Sequence, residues 1–87
     1  MLSDWGMHTR EVIKRAIHLA GSEAKLGRGT GFSQVAINKA KHKGHATAEM
    51  ALAIDRFLNG AVSASDIRPD LWASPEHVPQ SGERSAA

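Results

Sequence analysis

Val12, Ile13, Ala16, Ile17 and Ala20 recur at the three- and four-residue spacing of a helix, with Arg10, Glu11, Lys14, Arg15 and His18 mostly on the opposite side. This pattern predicts a helix over about Thr9 to Ala20, with Thr9 as its N-cap and Gly21 as the residue that ends it. Ser22 then caps a short second helix with Glu23, Ala24 and Leu26. Gly27 and Gly29 weaken that helix by about 1 kcal/mol each relative to Ala. Ser33 caps a third helix from Gln34 to about Lys43, stopped by Gly44. Thr47 begins a fourth, whose stripe is Met50, Ala51, Ile54, Phe57 and Leu58 and whose stop is Asn59-Gly60. Ala61 and Val62 read as a short extended piece, and Ser63 to Asp66 as a capping box opening one more helical turn. Pro69 and Pro75 forbid a long helix beyond it.

These elements divide the chain into a flexible start at 1–8, a folded domain at 9–72 and a flexible tail at 73–87, where no apolar face recurs. The expectation is an all-α, compact bundle of about five short helices. At 87 residues there is room for one domain with a small core. The absence of cysteine excludes disulfides and thiolate chemistry and fits a reducing cytoplasm. No apolar run reaches the ~18–20 residues of a membrane span, and the first seven residues do not read as a signal peptide.

Charge changes this picture more than composition does. From Arg10 to Lys43, eight bases face only Glu11 and Glu23, a net +6, whereas residues 44–87 carry −3 and Asp4 a further −1. The net +2 therefore conceals a basic segment suited to a polyanion, although a solvated lysine face would produce a similar count.

That basic segment also carries a helix-turn-helix pattern. Gly31 supplies a turn with positive φ, Gly27 allows close approach of the two helices, and Ile37 and Ala40 face inward, with Leu26 and Phe32 flanking the turn. The outward face of the third helix, including Gln34, Val35, Asn38, Lys39 and His42, holds no acid and offers groups able to read base edges.

The stretch AIHLAGSEAKLGRGTGFSQVAINKAKHKG resembles the helix-turn-helix of Cro-like phage repressors, in particular the YdaS-type regulators and antitoxins. The run AEMALAIDRFLNGAVSASDIRPDLW extends the resemblance over roughly Val12 to Trp72, and its RPDLW ending is the more distinguishing part. Three positions depart from the pattern: Glu23 where Gln often meets a phosphate, Ala40 in place of Trp or Leu, and Thr30 in place of an aliphatic residue. The resemblance implies a lambda-repressor-like fold and a sequence-specific transcriptional regulator of phage or prophage origin. It places the third helix in the major groove of double-stranded DNA. Gln34, Val35, Asn38 and Lys39 are then the base readers, and Lys25, Arg28, Ser33, Lys41, His42, Lys43 and His45 the phosphate contacts.

A module this small gains affinity as a homodimer on a pseudo-palindromic site. Ile67, Leu71 and Trp72 either supply that dimer surface or close the monomer core. The competing reading is an antitoxin-type interaction module whose main partner is a toxin or another regulator, with DNA binding secondary. No catalytic constellation is visible, and no cofactor is implied. His42 and His45 lack the neighbouring ligands of a metal site. The glycines at 27, 29 and 31 follow no strand and lack the ending of a phosphate loop.

Overall fold

In the computed structural model, which describes residues 2–79 and the side chains from His8 onward, five α-helices follow one another. They are α1 (Leu2–Ala20), α2 (Glu23–Thr30), α3 (Gln34–Lys43), α4 (Ala48–Phe57) and α5 (Ala64–Ile67), followed by a 3-10 turn at Pro75–His77. There is no strand among the described residues, so the all-α expectation stands. Helix α1 packs on α2, α3 and α5, while α4 packs on α2 and α5. Ile13, Leu26, Ile37, Ile54, Val62 and Ile67 meet in the middle as fully buried side chains. Burial of each contributes about 1.5–3 kcal/mol.

The caps after α1 follow the sequence. Ser22, Ser33 and Thr47 accept the backbone N–H three residues on, from Lys25, Ala36 and Met50, each at 3.1 Å. Ser63 and Asp66 form the reciprocal capping box of α5. Asn59 and Gly60 both take positive φ, 56° and 81°, and reverse the chain after α4.

Four expectations need correction. Helix α1 starts at Leu2, so Thr9 is internal rather than an N-cap. Thr9 is buried, and its hydroxyl donates to the Ile67 carbonyl at 3.5 Å; a tertiary acceptor takes the place of the cap. Phe57 does not complete the buried stripe of α4: it stays 42% exposed, while Asp55 turns inward. The Asp55 carboxylate accepts the Ala64 N–H at 2.9 Å, which satisfies a donor at the start of α5. Ala61 and Val62 form bends, not an extended piece, and Val62 enters the core. The fold also runs past Trp72, because Val78 is buried within the expected tail. Residues 80–87 of that tail lie outside the described residues. No helix among the described residues is long and apolar enough to cross a membrane.

Candidate nucleic-acid interface

Helices α2 and α3 are joined by a turn whose geometry rests on two glycines. Gly31 is left-handed at φ 84°, and its N–H and that of Phe32 both donate to the Gly27 carbonyl, at 2.9 and 3.0 Å. A Cβ at Gly27 would lie 2.6 Å from the Phe32 carbonyl oxygen, so only glycine lets the turn close over α2. With Ile37 and Ala40 buried against the bundle, the opposite side of α3 is turned outward. Gln34, Val35, Lys39, His42 and Lys43 are exposed there, Val35 at 63%. Helix α3 contains no acid.

The far end of α3 is fixed from α1. Arg10 donates through Nε to the Lys41 carbonyl at 3.2 Å and through Nη2 to the His42 carbonyl at 3.1 Å. A guanidinium at the C-terminal end of a helix satisfies orphan carbonyls and opposes the negative end of its dipole. Residue spacing gives Arg10 no sign of this role, because its acceptors are more than 30 residues away.

On either side of Gly44, Lys39, Lys43 and His45 line one shallow groove of about 240 Å³, with Ala36, Ala40, Ala46, Thr47 and Met50 completing its walls. The amino end of α4 opens beside them, capped by Thr47. The loop is held by Arg68, whose Nη1 donates to the Ala46 carbonyl at 2.9 Å. Arg68 also makes a two-point pair with Asp70, Nε to Oδ1 at 2.9 Å and Nη2 to Oδ2 at 2.7 Å. This bonding raises the Arg68 pKa and lowers that of Asp70. The RPDLW segment is thus a clasp on the α3–α4 loop.

The expected phosphate contacts are not all gathered in one place. Lys25 and Arg28 are exposed on α2, but they line a different depression with Ala20, Gly29 and Phe57. Ser33 is exposed, with its oxygen used as the cap of α3. Two residues expected to contact DNA, Asn38 as a base reader and Lys41 at a phosphate, are engaged within the motif itself. Glu23, at the first position of α2, accepts from Asn38 Nδ2 at 3.3 and 3.1 Å and from Lys41 Nζ at 2.7 Å. The Glu23 and Lys41 side chains are 18% and 25% exposed. The Lys41 and Asn38 donors hold the Glu23 carboxyl below its ordinary pKa, with a smaller contribution from the Gln34 amide, which makes no hydrogen bond to it among the described contacts. Glu23, which departs from the family pattern, is therefore the acid that ties α2 to α3.

The sequence model of the family described as bacterial toxin YdaS matches residues 13–76. No curated protein and no solved structure matches the chain. The matched span takes in the glycine turn, the outward row of α3 and the Arg68 clasp, and the chain belongs to the bacterial toxin YdaS family.

Proposed function

We propose that the protein is a sequence-specific regulator of transcription that binds double-stranded DNA, Cro-like and of phage or prophage origin. It acts as a homodimer in the bacterial cytoplasm, without catalysis or a cofactor. The observation that carries this reading is the acid-free outward row of α3, with Gln34, Val35 and Lys39 presented by a glycine-turned pair of capped helices. Placed in the major groove, Gln34 pairs with adenine, Lys39 reaches guanine O6 or N7, and Val35 meets a thymine methyl. Lys43 and His45, beside the amino end of α4, suit the phosphate backbone, with Lys25, Arg28, Ser33 and His42 at the flanks.

Selection of binding sites from a randomised duplex pool tests the proposal. A defined consensus that changes with Gln34→Ala supports it. Lys43→Ala should weaken every sequence alike and flatten the salt dependence by about one phosphate. A Gln34→Ala consensus identical to the wild type would refute the assignment of the reading helix.

A second reading, an antitoxin-type module for a toxin or another regulator, is favoured by one feature. Phe57 and Leu19 are exposed, and Phe57 lines two surface depressions, one with Arg56 and the other with Lys25 and Arg28. Stoichiometric co-purification of one neighbouring gene product, lost in Phe57→Ser, distinguishes it from the regulator.

A further inference from the structure

We infer that Glu23 is a specificity-determining positioning residue: its carboxylate withdraws Asn38 and Lys41 from the DNA-facing side of α3 and confines base reading to Gln34, Val35 and Lys39. This rests on the proposed DNA-binding role and adds to it a residue that acts through two others.

The geometry carries the inference. Glu23 belongs to α2, whereas Asn38 and Lys41 lie one helical turn apart on α3. One carboxylate meets both, with the ammonium at 2.7 Å and the amide nitrogen within 3.3 Å of both oxygens. The cluster is mostly screened from water, so the charges meet at an effective dielectric well below that of bulk solvent. A phosphate competing for Lys41 must displace a carboxylate already in place, and a base competing for the Asn38 amide must do the same. Lys39, Lys43 and His42 have no such partner among the described ion pairs and remain exposed. Without Glu23, the Lys41 ammonium lacks its carboxylate and can meet a phosphate, and Asn38 can present its amide outward.

The test is a double-mutant cycle between Glu23 and Lys41, read as the salt dependence of binding to a random-sequence duplex. Far-UV circular dichroism verifies the fold of each variant. Lys41→Gln should leave the wild-type slope unchanged, because Lys41 is already paired. Glu23→Gln should steepen the slope by about 0.9, the release expected for one more neutralised phosphate. Lys41→Gln in that background should then remove the gain. Between 50 and 200 mM salt, one such contact is about a threefold change in relative affinity. Loss of a bystander acid alone would steepen the slope whether or not Lys41 is present, so the coupling is the diagnostic quantity.

Glu23→Ala, which removes the acceptor of Asn38 as well, should broaden or shift the selected consensus at one base pair, and Asn38→Ala in that background should abolish the shift. If Lys41→Gln flattens the slope of the otherwise wild-type protein, Lys41 contacts phosphate despite Glu23 and the inference is overturned. An unaltered consensus in Glu23→Ala also overturns it. Failure of folded wild type and all variants to bind any duplex overturns the DNA-binding reading itself, a different result from either.

Discussion

Gly27 sits against Phe32 so closely that its carbonyl accepts the Phe32 N–H at 3.0 Å while a Cβ built on it would stand 2.6 Å from the Phe32 carbonyl oxygen. The obstructing atom is backbone, and the turn cannot retreat without giving up the bonds that Gly31 and Phe32 make to Gly27. Gly27→Ala gains about 1 kcal/mol of helix propensity. Overpacking of a closed site costs about 1–3 kcal/mol, and the rigid neighbour places this case at the upper end. The expected net loss is about 2 kcal/mol, a fall in Tm on the order of 8–16 °C by thermal melting. An unchanged Tm would show that the turn can open freely.

Arg68 lies 22 residues from the Ala46 carbonyl that it holds. Its pairing with Asp70 counts for little by itself, since the Asp70 side chain is 38% exposed. The charged bond to the loop carbonyl is worth more, so Arg68→Ala should cost about 1–2 kcal/mol. The loss should be local. Hydrogen exchange of the amides at residues 44–47 is expected to accelerate more than that of α1, and uniform acceleration would contradict a loop-specific role.

These two sites differ in how far they could be read from sequence, and the reason is separation along the chain. The caps at Ser22, Ser33, Thr47 and Ser63 were legible because each donor is two or three residues from its acceptor. The turn at Gly31 and the inward positions Ile37 and Ala40 were legible for the same reason, and with them the outward placement of Gln34, Val35 and Lys39. Glu23, Arg10 and Arg68 find partners 18, 31 and 22 residues away, and such long-range polar contacts leave no periodic trace. A helical wheel assigns Asn38 and Lys41 to a sector of α3 but does not show that α2 brings a carboxylate to that sector. Thr9 misled by its type: a threonine ahead of an apolar stripe suits a cap equally well as a buried position bonded to Ile67.

The Glu23 cluster makes stability depend on acid pH with a definite sign. Lys41 and Asn38 lower the pKa of Glu23 in the folded chain, so its stabilisation is fully present above the ordinary carboxylate value. That value is about 4.3 in an unfolded chain. The contribution is lost as pH falls through the lowered folded pKa. Glu23→Gln has no such group, so its Tm deficit relative to wild type should be constant from neutral pH to about pH 5 and should shrink below about pH 4. Parallel thermal melts over that range check it; a deficit that stays constant down to pH 2 would place the carboxylate outside any effective pairing.

Leu71 is the remaining candidate for a contact between copies in the segment that also holds Val62, Ile67 and Trp72. Val62 and Ile67 are fully inside the monomer core, and Trp72 is half-buried against it. Leu71 stands 47% exposed beside them, anchored by its N–H to the Arg68 carbonyl at 3.0 Å. The two neighbours should therefore separate folding from assembly. Trp72→Ser removes packing and should cost about 2–3 kcal/mol, somewhat less than truncation of a fully buried aromatic. Leu71→Ser touches little and should alter stability by no more than about 0.5 kcal/mol. If copies pair through this segment, sedimentation equilibrium will give a dimer mass for the wild type and a monomer mass for folded Leu71→Ser. An unchanged dimer mass in Leu71→Ser would move the interface elsewhere, and the exposed Phe57 face would become the next surface to truncate.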